Sequence, residues 1–98
     1  MHVGALHVEL RIRGMRSLKE KRRVVKRIIA DVGTPYPIAV AEVDHQDLWQ
    51  RAALGIAAVS ESPGQIDRML ASIMRDLEQR TDIEILGSGR FYLDEEDR

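Results

Sequence analysis

The chain contains no cysteine and no asparagine, and it has one tryptophan, one phenylalanine and two tyrosines. Without cysteine there is no disulfide scaffold, thiol nucleophile, Cys-ligated zinc or iron–sulfur cluster. No apolar run approaches the roughly 20 residues that a membrane-spanning helix needs. The opening segment, MHVGALHVELRIR, has no basic region ahead of an apolar stretch, so a secretory signal is not expected and a cytoplasmic location is. The scarcity of aromatics counts against base stacking on a sheet surface. What is present is ordinary for one globular domain: 98 residues, 44% hydrophobic and 32% charged. A chain of this length buries roughly 60–70% of its unfolded surface without staples.

The formal net charge of −1 conceals an asymmetry. Residues 1–51 hold ten Lys and Arg against six Asp and Glu, a formal +4, whereas residues 52–98 hold five against ten, a formal −5. Seven of the basic residues fall between Arg16 and Arg27, and the last five positions, 94–98, hold four acids. Such polarity marks an anion-binding face beside an acidic tail, or else a solvated helix face beside a frayed end.

Hydrophobic periodicity supplies the elements. Leu6, Val8, Leu10 and Ile12 alternate with His7, Glu9, Arg11 and Arg13, the pattern of a strand with one buried face. Gly14 interrupts it. Ser17 with Glu20 three residues on forms a capping box, and Leu18, Val25, Ile28, Ile29 and Val32 give the helix that follows one apolar stripe. Lys19, Arg23, Lys26 and Arg27 group on the other side, flanked by Lys21 and Arg22. Gly33, Pro35 and Pro37 end the helix. Residues 38–44 read as a second strand and 52–60, apolar at nearly every position, as a central one. Ser62, Pro63 and Gln65 open a second helix reaching to about Arg80, and residues 83–93 form a last strand bent near Gly87 and Gly89. The order β-α-β-β-α-β predicts an α+β, ferredoxin-like domain over 1–93, a four-stranded antiparallel sheet with two helices on one face, followed by an acidic tail at 94–98.

Two motifs are more specific than the fold. Arg16-Ser17-Leu18-Lys19-Glu20-Lys21-Arg22 and Ala41-Glu42-Val43-Asp44-His45-Gln46-Asp47-Leu48-Trp49-Gln50-Arg51-Ala52, at this length and in this order, resemble the YlxP-like family of small bacterial proteins, a domain of unknown function. The resemblance spans about residues 3–93. It implies the ferredoxin-like fold. Genes of that family often neighbour those for transcription elongation, translation initiation and ribosome maturation factors, which implies a link to RNA or the ribosome. The family brings no catalytic residues to carry over. Thr34-Pro35-Tyr36-Pro37 departs from its pattern.

Four surfaces are candidates. At the first strand–helix junction, Arg13, Arg16, Ser17 and Lys19 surround a helix N-terminus that favours anions, or Ser17 merely caps. Acylphosphatases use this fold with a loop arginine and an asparagine, and the missing asparagine argues against that chemistry. Along the helix, Lys19, Arg22, Arg23, Lys26 and Arg27 suit a phosphate backbone. The segment His45, Gln46, Asp47, Leu48, Trp49, Gln50, Arg51 is either a recognition loop or a plug with Trp49 on the core, Asp47 capping a turn and Arg51 paired with Glu42 or Asp44. Its Asp44, His45 and Asp47 match no defensible metal spacing. Finally, Ala53, Gly55, Ala57 and Val59 form an apolar strip on the sheet face away from the helices, a surface suited to a homodimer. The expected role is a non-catalytic accessory factor, without cofactor or metal, that contacts RNA or a ribosomal particle and no membrane. The alternative is a homo-oligomeric interaction or small-anion-binding module.

Overall fold

The computed structural model describes residues 1–95. Strand β1 (His2–Ile12) leads through a turn at Gly14, whose φ of 73° lies in the left-handed region that glycine enters without a steric cost, into helix α1 (Leu18–Gly33). Strands β2 (Ile38–Asp44) and β3 (Arg51–Ser60), helix α2 (Pro63–Glu78) and strand β4 (Ile83–Asp94) follow. The sheet order is β2-β3-β1-β4, every neighbour antiparallel. The predicted βαββαβ architecture is thus present, with β1 and β3 central because their helix-facing residues are the most completely apolar.

Both helices begin where the sequence places their caps. Ser17 Oγ accepts from the Glu20 N–H at 3.1 Å, and Ser62 Oγ from the Gln65 N–H at 3.3 Å. Each cap satisfies one of the donors that a helix start leaves unpaired. Neither expected reciprocal bond is present among the described residues, so Ser17 with Glu20 is a one-sided cap and not a capping box, and the Gln65 side chain does not return to Ser62 either. It accepts from Ser60 Oγ at 3.2 Å instead. Leu6, Val8, Leu10 and Ile12 of β1, Leu54, Ile56 and Ala58 of β3, and Ile66, Leu70, Ile73 and Leu77 of α2 form one core with Val25, Ile28 and Val32 of α1. Gly4 lets α2 lie close against β1, since a Cβ there would run into the Ile66 side chain. Tyr36 OH and Ser72 Oγ hydrogen-bond, so the Thr34–Pro37 stretch is pinned to α2.

Two register shifts shape the sheet edges. Glu42 pairs with Leu54 but Asp44 with Ala53, which makes Val43 the extra residue of a bulge and folds its side chain over Gly55. Glu9 pairs with Gly87 but Leu10 with Ile85, which leaves Leu86 as a second bulge beside the glycine where a bend was expected. The start of the acidic tail belongs to the sheet. Asp94 pairs with His2 in β4, and the Glu95 N–H donates to the Met1 carbonyl at 3.1 Å. Residues 96–98 of the tail lie outside the described residues.

Candidate functional site

The β2–β3 connection is built around His45. Its φ of 65° is left-handed, uncommon for a side chain with a Cβ. Its N–H donates to Asp44 Oδ1 at 2.7 Å, and its carbonyl accepts from the Leu48 N–H at 3.0 Å. The same carbonyl accepts from Lys21 Nζ of α1 at 2.7 Å. Lys21 Nζ also lies 2.8 Å from Glu42 Oε2, an oxygen whose charge is met by this ion pair alone. The Lys21 side chain is wholly buried and that of Glu42 partly so, at 16% exposure. A charge taken out of water is tolerated only when paired and hydrogen-bonded, and the loop carbonyl supplies the second partner.

Lys21 therefore does not flank the basic surface as the sequence reading had it. With Val25, Ile28 and Val32 it completes one stripe at spacings of four, three and four, buried along its whole length. That spacing was the available signal, and the lysine's charge obscured it. Lys21 stands in the first resemblance motif and Glu42 and His45 in the second, so the two motifs meet at this ion pair.

On the open face of the sheet, Glu9 gathers two histidines and an arginine. His45 Nε2 donates to Glu9 Oε1 at 2.8 Å, Arg51 Nη2 donates to the same oxygen at 3.2 Å, and His7 Nε2 lies 3.2 Å from Oε2. The hydrogen bond from His45 is the main cause holding the Glu9 carboxyl below the usual range, with the charges of His45, His7 and Arg51 adding to it and partial burial opposing. Arg51 thus pairs with neither Glu42 nor Asp44, because the β1–β3 register sets it opposite Arg11 and diagonal to Glu9 on the same face of the sheet. At the α2–β4 turn Arg80 holds Asp82 and Asp31, both at 2.9 Å through its terminal nitrogens. These contacts raise the Arg80 pKa and lower that of Asp82, a structural clamp.

Trp49 is 49% exposed and Leu48 47%, so neither fills the core. Asp44, not Asp47, takes up the loop N–H. Asp47, Leu48, Trp49, Gln50 and Arg51 border a shallow hollow of about 340 Å³. Among the described residues no three potential metal ligands come together. The Ile12 N–H donates to the Gln50 carbonyl at 2.8 Å, which places Trp49 at the end of the sheet where β1 turns into α1. The junction residues Arg13, Arg16 and Ser17 and the segment His45–Arg51 therefore share one end of the domain, with Ser17 occupied as a cap.

From that end the outer side of α1 runs back along the domain. Lys19, Arg22, Arg23 and Lys26 line a concavity of about 320 Å³, all exposed, with Arg27 exposed beyond them. None of these five is in an ion pair among the described residues, whereas Arg11, Lys21, Arg51 and Arg80 are each committed to a carboxylate.

The sheet's open face carries the predicted strip, and more. Gly55 and Ala57 are joined by Ala5, Ala39, Ala41, Val43 and Phe91 around a trough of about 370 Å³, with His7 at its rim. Phe91 and Leu93 of β4 extend it, since they pair with Ala5 and Val3 and so share their side of the sheet. Sequence reading missed both, for an edge strand without clean alternation does not declare its faces. Ala53, although on this face, is buried.

Comparison with known proteins accords with this picture. A family model described as "Protein of unknown function (DUF503)" matches residues 3–90. The chain belongs to the DUF503 family. A similar relative is the uncharacterized protein YlxP of Bacillus subtilis (strain 168), 38% identical over 82 residues that cover 84% of this chain and 89% of the relative. Two solved structures share the fold. The de novo designed protein Foldit4 aligns with a TM-score of 0.53 at 15% identity over 96% of this chain and 99% of its own. The structural-genomics protein YJCS aligns with a TM-score of 0.54 at 9% identity over 94% and 99%. No helix among the described residues is long and apolar enough to cross a membrane.

Proposed function

We propose that this DUF503 protein is a non-catalytic RNA-binding accessory factor that grips the phosphate backbone with the outer side of α1. The observation that carries the reading is the set Lys19, Arg22, Arg23 and Lys26. They are four exposed cations around one concavity, without carboxylate partners among the described residues, in a chain of net charge −1. Like charges held together repel one another, and a polyanion relieves that cost while releasing counterions. Ribosomal RNA is the form that the family resemblance favours.

Four phosphate contacts imply a drop in affinity of about a hundredfold between about 50 and 200 mM salt. Fluorescence anisotropy with labelled RNA tests this. Lys19→Glu with Arg23→Glu should weaken binding at least tenfold at unchanged melting temperature. Equal affinity for the variant and the parent would overturn the reading.

The apolar trough supports a second reading, a homodimer formed through the open sheet face. Arg11 with Glu84, and Arg51 with Glu9, neutralise one another within that face, so covering it strands no charge. Light scattering over a hundredfold dilution should report twice the 11.1 kDa chain mass, and Ala57→Asp should abolish the dimer. A mass of one chain throughout would end this reading.

A further inference from the structure

We propose that the RNA is single-stranded and that Trp49 stacks one of its bases beside the phosphates held by α1. The inference rests on the RNA reading above and adds the strand type and a residue for base contact. Three aromatic side chains are largely exposed: Trp49, Phe91 and Tyr92. Phe91 lies on the open sheet face, and Tyr92 OH donates to Asp67 Oδ1 of α2 at 2.9 Å. Trp49 alone stands at the α1 end of the domain. Lys21 Nζ holds the His45 carbonyl at 2.7 Å, so the loop adjoins the first turn of α1, and Lys19 and Arg22 project from the outer side of those same turns.

The loop is also held in shape. Asp44 takes the His45 N–H, the His45 carbonyl takes the Leu48 N–H, and the Gln50 carbonyl takes the Ile12 N–H. An indole presented from a fixed backbone loses little freedom when a ring stacks on it. Gln50 borders the same hollow and supplies an amide for a base edge. A duplex has its bases already stacked and offers no ring face, so this pairing of an exposed indole with a row of cations suits an unpaired strand. Stacking also suits a loop that carries Asp47, since a base is neutral where a phosphate would be repelled.

Trp49 is the chain's only tryptophan, so its emission reports the contact directly. The probe is an unstructured RNA of about 12 nucleotides, compared with a duplex of the same length. The expected result is tighter binding of the single strand, with Trp49 emission strongly quenched at saturation. Trp49→Ala should weaken single-strand affinity about 5- to 100-fold with an unchanged salt slope, and Trp49→Phe should retain most of it. Asp47→Asn should tighten it slightly. Binding that α1 charge reversal abolishes but that leaves Trp49 emission unmoved, or that favours the duplex, overturns the stacking and leaves the RNA reading standing. Absence of binding to either probe at about 50 mM salt overturns both.

Discussion

Lys19 and Lys21 stand two positions apart on α1, and the fold uses them in opposite ways. Lys19 lies in solvent among Arg22, Arg23 and Lys26, and Lys21 lies in the core against Glu42 and the His45 carbonyl. Two residues along a helix are a rotation of about 200°, so neighbours of the same chemistry face opposite environments. One lysine binds the protein to itself, joining the helix to the β2–β3 loop. The other is left without a partner inside the described chain. Charge density alone does not mark a binding surface, for the same run of residues includes the domain's most deeply buried cation.

The sharpest way to break this contrast is to remove the buried charge. Lys21→Ala leaves Glu42 and the His45 carbonyl unpaired and should cost about 3–5 kcal/mol, read as a fall in melting temperature of more than about 10 °C. Lys21→Met combined with Glu42→Leu removes both charges and should recover most of that loss. A single variant that melts like the parent would show that the ion pair does not hold the loop.

Trp49→Ala comes next. A half-exposed indole should cost about 1 kcal/mol or less, against the roughly 3–5 kcal/mol of a buried aromatic site. Thermal melting decides between the two, and a large loss would turn the loop back into a plug.

Glu9→Gln should act through pH. Because the folded-state pKa of Glu9 lies below its unfolded value, its contribution is complete above the ordinary carboxylate range. It is lost as pH falls through the lowered value. The gap between the urea midpoints of parent and variant should therefore close as pH falls below the ordinary carboxylate range of about 4. A gap that persists undiminished well below that range contradicts the lowered Glu9 carboxyl and the cluster that causes it. The smallest effect on stability belongs to Lys19→Glu with Arg23→Glu, about 0.5 kcal/mol or less, because neither side chain touches the core.

Much of the frame was legible before any coordinates. Alternation from Leu6 to Ile12, the caps at Ser17 and Ser62, Pro63 at the start of α2 and the run at 52–60 identified the elements and the central strands. Each of these signals is local, spanning a few residues whose periodicity matches a helix or a strand. The ion pairs were not legible. Lys21 reaches Glu42 and Arg51 reaches Glu9 across the fold, brought together by the packing of α1 on the sheet and by the β1–β3 register.

What the sequence determined by itself is the βαββαβ order, the core faces and the placing of the cations on α1, because backbone propensity and hydrophobic period act over short stretches. Tertiary structure decided which of those cations is buried, which carboxylate Arg51 meets, and that Trp49 is half-exposed at the end of the sheet where β1 turns into α1. It also decided that Phe91 and Leu93 lie in line with Ala5 and Val3 on the open face. These outcomes depend on the pairing of residues far apart in the chain, and that pairing is set by how the helices and sheet pack, not by any local pattern.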